Sequence, residues 1–561
     1  MAKEKLSIIS LGGRGEVGNN MIILENKDDI IILDAGILFP NDDQYGIDLI
    51  IPDISYLLDK KQKIRGIILS HGHEDHIGAI PYLLEIINPP LYGSDLTLGL
   101  VENKLKDAGL LAQANLNVIT ASQERRRLKL NSFELEFCYV NHSIPACVAM
   151  GIHTPVGLIV YTGDYKFDQT PLNSPQTDYQ QLADWGKEGV LALLGDSTNS
   201  EREGHTLSEY IVARNLEDSF RLIEERIIIA TFSSNISRIQ QIIKAGVKAK
   251  RKVAINGRSM FNTIEIAAKL GYIQIPPGML ITLEQAKKMD PGKVILLMTG
   301  SQGEYSASLS RMARGEHRDI SIIPGDTVFL SSSPIPGNEK AIGETINLLY
   351  ARGARVIYNG MLDLHASGHA CQEEIKMMIN LTRPKFLIPV HGEFRHLYHH
   401  AQLGRQVGIA VENIFIAQNG DRLLLTEDKA EIVEQVHSGQ MYIEGNQLSD
   451  TGAVVLNDRK RLSENGFVNI IIAVNNRGDF ISQPKLVSRG FVYNKESEQL
   501  LIAARELIVK TLKDLDNKKI IDYSLIKKKI IATLNKFFYE KTKRSPLILI
   551  EMLEIRETLY V

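Results

Sequence analysis

One short run constrains this chain more than any other: Ser70-His71-Gly72-His73-Glu74-Asp75-His76-Ile77-Gly78-Ala79. Three imidazoles and a carboxylate, His71, His73, Asp75 and His76, stand within six residues, straight after the apolar run Gly66-Ile67-Ile68-Leu69. Imidazole nitrogen and carboxylate oxygen are the donors that suit zinc or a similar first-row ion. Alternate residues of a loop diverge to two sides. His71 and His73 can then reach one ion while Asp75 and His76 reach another. Helical spacing of Ile77, Ile80, Leu83, Leu84 and Ile87 begins just beyond and fixes the exit of the loop.

Two ions need further ligands, and the chain supplies them at other strand ends. His142 follows the strand-like run Glu134–Val140, and Asp164 ends the run Gly157–Thr162. Asp34 ends Ile30–Asp34, and His391 ends Phe386–Val390. Open α/β layers place their sites at such ends.

The first 200 residues read as short apolar strands with polar loops, Gly66–Ser70 and Val190–Leu194 among them. From about 208 the pattern becomes strand–helix alternation: strands at Arg226–Thr231, Lys252–Asn256, Val294–Met298, Val328–Leu330 and Val356–Tyr358, helices at Ser237–Ala249 and Ser259–Leu270. That alternation predicts a parallel sheet covered by helices. Residues 370–450 return to helix, strand, helix and two short strands. Gly439 to Gly452 reads as a linker. The tail mixes the strand Val468–Val474 with long helices at Glu498–Asp514 and Tyr523–Tyr539. The expected borders are 1–207, 208–370, 371–450 and 451–561.

Composition excludes several classes. The 561 residues are 44% hydrophobic and 23% charged, as in a soluble globular protein. No apolar run approaches the roughly 18 residues of a membrane span. Cys138, Cys147 and Cys371 are too few and scattered for a disulfide framework, which points to the cytoplasm. The net charge of −3 hides a basic tail, with 20 Lys+Arg against 13 Asp+Glu in residues 451–561. Basic clusters also occur at Arg125-Arg126-Arg127 and Lys248–Lys252. Such clusters meet phosphates or form solvated faces.

The HxHxDH order and its strand-end partners resemble the metallo-β-lactamase fold. The insert before His391, Asp196-Ser197-Thr198-Asn199, His365-Ala366-Ser367-Gly368-His369 and Pro389–Glu393 resemble the β-CASP nuclease motifs. Gly12-Gly13-Arg14-Gly15-Glu16-Val17-Gly18, Phe329–Gly337 and Tyr539–Pro546 narrow the resemblance to the bacterial ribonuclease J family, over essentially the whole chain. It implies a metallo-β-lactamase αββα sandwich with an inserted β-CASP α/β domain and a small C-terminal α+β domain. It also implies one metal on His71, His73, His142 and Asp164, and a second on Asp75, His76, Asp164 and His391. The ions would be two Zn²⁺ per subunit, with Mn²⁺ or Mg²⁺ as alternatives. Asp34 would orient ligands, and Asp196 and His369 would be an acid–base pair. Ser233, Ser234, Asn235, His365, Ala366, Ser367, Gly368 and His369 would form a nucleotide-phosphate pocket. Gly46, Asp48 and Glu444 match a structural Ca²⁺ site of some relatives, with Glu444 where aspartate is usual. Arg14 stands where an apolar residue is commoner.

These residue types suit phosphodiester hydrolysis. Two cations about 3.5–4 Å apart lower the pKa of a water and neutralise the transition state. Neutral hydroxyl, amide and backbone donors hold a terminal monophosphate but do not offset the added charge of a triphosphate. The expectation is a 5′→3′ exonuclease favouring 5′-monophosphate RNA, with endonuclease activity, in RNA maturation and mRNA decay. Alternatives are a DNA-directed β-CASP nuclease, a small-molecule hydrolase on the same fold, or a non-catalytic subunit of an RNA-decay complex. Expected partners are RNA, a homodimer or homotetramer through the tail, and RNA-decay proteins, with no membrane. His396, His399 and His400 read as surface residues of a helix, and Trp185 as packing.

Overall fold

The strands Leu6–Gly12, Met21–Glu25 and Ile30–Leu33 are buried at every position, so neither face of their sheet meets water along them. The computed structural model describes residues 4–41, 43–120, 127–333, 338–445, 447–449, 452–475, 480–492, 494–516 and 522–555. It divides into two units, Met1–Phe39 with Ile50–Met441, and Pro40–Leu49 with Tyr442–Val561.

In the first unit, two sheets face each other. One runs in the order Ala430–Gln435, Asp421–Leu425, Leu6–Gly12, Met21–Glu25, Ile30–Leu33, Ile64–Ile68, Leu91–Gly93, Leu116–Val118. The other runs Phe386–Val390, Val190–Asp196, Gly157–Tyr161, Val148–Thr154, Phe133–Tyr139, Arg127–Leu130. Leu24, Ile31 and Ile68 of the first pack with Phe137, Met150, Ile159 and Ile388 of the second. Behind the second sheet, the helices Tyr179–Glu188 and Gln372–Thr382 bury Leu182, Trp185, Ile375 and Met378. Trp185 donates its indole N–H to Glu136, 2.9 Å away, and packs as expected.

The alternation from 208 onward is a third, wholly parallel sheet. Its order is Leu280–Ile281, Lys252–Asn256, Val294–Met298, Ile227–Ala230, Thr327–Leu330, Arg355–Ile357. The sandwich with an inserted parallel α/β sheet is the expected architecture. Two local readings change. The helix after His76 is two short helices, Glu74–Ile77 and Ile80–Ile86. Pro81 has no N–H to bond back and so opens a new helix. The linker reading of Gly439 to Gly452 fails in its middle: Tyr442–Glu444 pairs with Gln447–Ser449, and Ile443 is fully buried.

The second unit has its own core. Phe467–Val474 pairs antiparallel with Lys485–Arg489 and parallel with Leu547–Glu554. The helices Asn494–Asp516 and Tyr523–Thr542 supply Ile508, Leu512, Ile530, Leu534 and Phe538 against Val468, Ile470 and Ile472. Among the described residues, no helix is long and apolar enough to cross a membrane. Arg125, Arg126 and the stretch 334–337 lie outside the described residues.

Candidate metal centre

Five strands of the sandwich end at one place. Ile30–Leu33 and Ile64–Ile68 run parallel, as do Gly157–Tyr161, Val190–Asp196 and Phe386–Val390. Sharp turns follow the last residues: Asp34, Gly163 and His391 have φ of 61°, 53° and 53°. A left-handed conformation costs a non-glycine residue roughly 1–2 kcal/mol, and such outliers gather at functional sites. Here they swing two ligand-type side chains out of the sheets.

The side chains meet in three overlapping clusters: His71, His73, His142 and Asp164; Asp75, His76, Asp164 and His391; and Asp164, Asp196, His369 and His391. In the first, His73 Nδ1 lies 3.0 Å from both His71 Nε2 and His142 Nε2. Asp164 Oδ2 is 3.6 Å from His71 Nε2 and 3.7 Å from His142 Nε2. In the second, His76 Nε2 is 3.3 Å from Asp164 Oδ2 and 3.5 Å from Asp75 Oδ2. His391 lies 3.2 Å from Asp164 Oδ1 and 3.3 Å from Asp75 Oδ2. All of the residues expected to hold the two ions are brought together, and Asp164 belongs to both sets.

The donor chemistry fits divalent metal. Imidazole nitrogens 3.0 Å apart, facing a buried carboxylate, crowd lone pairs that a cation relieves. Asp164 Oδ1 and His391 Nε2 are buried without a hydrogen-bond partner. The outward nitrogens are already bonded. His142 Nδ1 donates to the Gly368 carbonyl at 2.7 Å, and His76 Nδ1 to Asp34 Oδ2 at 2.8 Å. Those bonds leave Nε2 of each ring facing the cluster.

Asp34 is saturated. It accepts from Ser70 N–H at 2.7 Å, Ser70 Oγ at 2.8 Å and Tyr161 Oη at 2.7 Å, besides His76. It thus orients ligands without joining either cluster. Burial, reinforced by His76, drives the His71 pKa well down, and burial takes His73 to about 4. Burial also pulls at His76 and His391, but Asp164 foremost outweighs it and holds both well above the ordinary imidazole value.

Asp196 Oδ2 accepts from His369 Nδ1 at 2.8 Å, beside the second cluster. Its Oδ1 accepts from Thr198 N and Oγ1, and Thr198 Oγ1 lies 2.9 Å from His391 Nδ1. That hydroxyl bridge between a candidate ligand and the Asp–His pair is absent from the sequence reading; only the position of Thr198 beside Asp196 hinted at it.

The pocket residues occupy two loops. Ser233 and Ser234 precede the helix Ile236–Lys248, whose first turn Asn235 caps by accepting from Arg238 N–H at 3.0 Å. Ser367 Oγ accepts from Asn199 Nδ2 at 2.7 Å. His365 is held neutral by burial, at about 3. Ala366 differs from expectation: its methyl is fully buried in the hydrophobic core, leaving only backbone to face a ligand.

Two further readings are corrected. His396 and His400 are buried, and only His399 is an exposed residue. His400 Nδ1 lies 3.0 Å from Ser197 Oγ, behind Asp196. The calcium residues do not fit a calcium ion. In the second unit both oxygens of Glu444 accept from the Arg459 guanidinium, at 2.8 and 3.1 Å. The same guanidinium donates to Tyr45 O at 2.9 Å and crowds Gly46, while Asp48 Oδ2 accepts from Gly445 N–H at 2.7 Å. An arginine already supplies the positive charge there.

Four family models match the chain: the metallo-beta-lactamase superfamily over residues 14–195, the ribonuclease J beta-CASP domain over 224–349, the Zn-dependent metallo-hydrolase RNA specificity domain over 356–417, and the ribonuclease J C-terminal domain over 454–555. A crystal structure of a protein of unknown function from Enterococcus faecalis V583 shares the fold, with a TM-score of 0.52, 18% identity, and coverage of 75% of this chain and 100% of that one. Fold and site together define a β-CASP metallo-hydrolase of the metallo-β-lactamase superfamily.

Within that class the relatives are specific. Ribonuclease J 1 of Streptococcus pyogenes is 42% identical over 546 residues, 97% of either chain. Ribonuclease J2 of Bacillus subtilis is 39% identical over 553 residues, 98% of this chain and 99% of its own. Ribonuclease J of Synechocystis is 38% identical, across 98% of this chain and 86% of its own. The chain belongs to the ribonuclease J family.

Proposed function

We propose that this chain, a metal-dependent ribonuclease, degrades RNA 5′→3′ from 5′-monophosphate ends and also cleaves internally. The observation that carries the reading is Asp164, shared by two ligand clusters and flanked by the Asp196–His369 pair. We assign His71, His73, His142 and Asp164 to one cation and Asp75, His76, Asp164 and His391 to the other. Zinc is the ion of choice, with manganese or magnesium as alternatives. When bound, two such cations would lower the pKa of a nearby water and offset phosphate charge.

The chain's own groups do the rest. Asp34 and Gly368 O hold His76 and His142 in the tautomer that faces the cluster. His369, bonded to Asp196, stands to donate a proton to the departing 3′ oxygen. Ser233, Ser234, Asn235, Ser367 and the Gly368 backbone offer neutral donors for the terminal phosphate. Domain borders at 207/208, 370/371 and 450/451 go with this reading. So do a cytoplasmic setting, a homodimer or homotetramer through the C-terminal domain, and RNA-decay proteins as partners. The three cysteines are free, in keeping with a reducing compartment.

The test is digestion of matched end-labelled 5′-monophosphate and 5′-triphosphate RNAs by the wild type and His73→Ala. The expected result is faster decay of the monophosphate RNA by the wild type and none by the variant. Equal rates on both ends defeat the pocket assignment. A DNA strand cut as fast as its RNA counterpart shifts the reading to a DNA-directed nuclease.

A further inference from the structure

Arg238 is fully buried, in the first turn of the helix that Ser233-Ser234-Asn235 lead into. A guanidinium in that position survives only if its donors are paired. Its Nε donates to Gln241 Oε1 at 2.9 Å and its Nη2 to Glu209 Oε2 at 3.0 Å. Its Nη1 donates to Ser331 Oγ and to the carbonyl of Leu364. Ser331 Oγ in turn donates to Leu364 O at 2.6 Å. Leu364 is the residue before the His365–His369 loop. Glu209 reaches the other way: its Oε1 is 3.5 Å from Lys166 Nζ, and its N–H donates to Asp168 Oδ2 at 2.9 Å. Lys166 is two residues past Asp164. Asn235 Nδ2 and His365 Nδ1 meanwhile are buried without partners, one on each loop.

We propose that Arg238 is a positioning residue for the RNA 5′ end. Its planar fork ties the Ser233–Asn235 loop to the His365–His369 loop, and Glu209 ties both to the segment carrying Asp164. The two halves of the phosphate pocket come from sequence positions more than a hundred residues apart, and this fork is a polar link between them. Lysine keeps the charge but has no fork, so it cannot hold Glu209, Ser331 and Leu364 O together. The proposal rests on the 5′-phosphate pocket assigned above.

The test compares the wild type with Arg238→Lys and Ser331→Ala, as full-length, metal-loaded enzyme. Steady-state kinetics are run on 5′-monophosphate RNA, 5′-triphosphate RNA and bis(p-nitrophenyl) phosphate, a small diester that needs no pocket. Misplacing a binding group by about 1 Å costs roughly 100-fold. The expected result for Arg238→Lys is a loss of about 10- to 100-fold in kcat/KM on the monophosphate RNA, carried mainly by KM. Hydrolysis of the small diester stays within about twofold. Ser331→Ala, which leaves the ion pair in place, shows the same split at smaller size and speaks for the proposal if Arg238→Lys does not fold. A variant that keeps the wild-type preference overturns the role of Arg238 and leaves the pocket standing. Equal losses on all three substrates overturn it also, because the effect is then merely structural. A wild type that does not discriminate between the two ends defeats the pocket itself, and the proposal with it.

Discussion

His142 Nδ1 donates to the carbonyl of Gly368 at 2.7 Å, joining residues 226 positions apart. A candidate metal ligand is thus aimed by the backbone of the loop that would receive the RNA phosphate. Loop and ligand cannot shift independently.

That bond makes position 368 intolerant of any side chain. A Cβ there would lie 2.4 Å from His142 Cε1. Gly368→Ala is expected to displace the ring and weaken metal binding by about 10- to 100-fold, the range seen for groups that orient ligands. Metal content by elemental analysis after dialysis, beside circular dichroism to show the fold intact, checks it. Full metal occupancy would count against the coupling.

Asp164 serves both expected cation positions, so its loss is not local. Asp164→Asn is expected to release both ions and lower RNA hydrolysis by more than about 100-fold, beyond the effect of an outer partner. By contrast His73→Ala touches one cluster. Metal stoichiometry separates the cases: near zero for Asp164→Asn, intermediate for His73→Ala. Chelation of the wild type abolishes activity and added metal restores it.

The buried Glu209 carboxylate predicts an acid-sensitive contribution to stability. Burial favours its neutral form, but Arg238 and then Lys166 outweigh burial and bring its pKa to about 2, from an ordinary 4.5. A depressed carboxylate stabilises the fold above its unfolded pKa and loses that contribution as pH falls through the folded one. The window runs from about pH 4.5 down to about 2, and the contribution is on the order of 3 kcal/mol. Denaturant melts of the wild type and Glu209→Gln across this window are expected to converge with acid. Parallel curves at every pH would contradict it.

Arg459 in the place expected for calcium gives a further outcome. A ligand at a hundred times its Kd stabilises a fold by about 2.7 kcal/mol. Millimolar calcium is therefore expected to leave the melting temperature of the metal-loaded wild type unchanged. A clear rise would show that Arg459 yields to the ion.

The site was legible where chemistry is local or falls at strand ends. His71 and His73 lie in one loop, Asp75 and His76 in the helix Glu74–Ile77 that follows it at once, and His142, Asp164, Asp34 and His391 each follow an apolar run, so sequence pattern pointed to the residues that the fold brings together. The buried link Lys166–Glu209–Arg238 was not legible. Each residue looks like an ordinary surface charge, and only tertiary packing pairs them. His396 and His400 carried a signal that the sequence reading passed over. With Leu397, Ala401 and Gly404 they form one stripe at helical spacing, all of it buried. The calcium expectation rested on Gly46, Asp48 and Glu444, and nothing near them in sequence announces that Arg459 folds back onto the carboxylate.

The same chain of charges limits how the nuclease body breathes. Glu209 opens the insert, Lys166 belongs to the sandwich, and Arg238 reaches the strand-end loop at Ser331. Prying insert from sandwich along this seam would part Glu209 from the buried Lys166 ammonium and from the Asp168 carboxylate that its N–H meets, while Arg238 would keep its partners inside the insert. A seam pinned by these buried contacts resists opening, which leaves adjustment to nucleic acids of different shape to the loops at the strand ends.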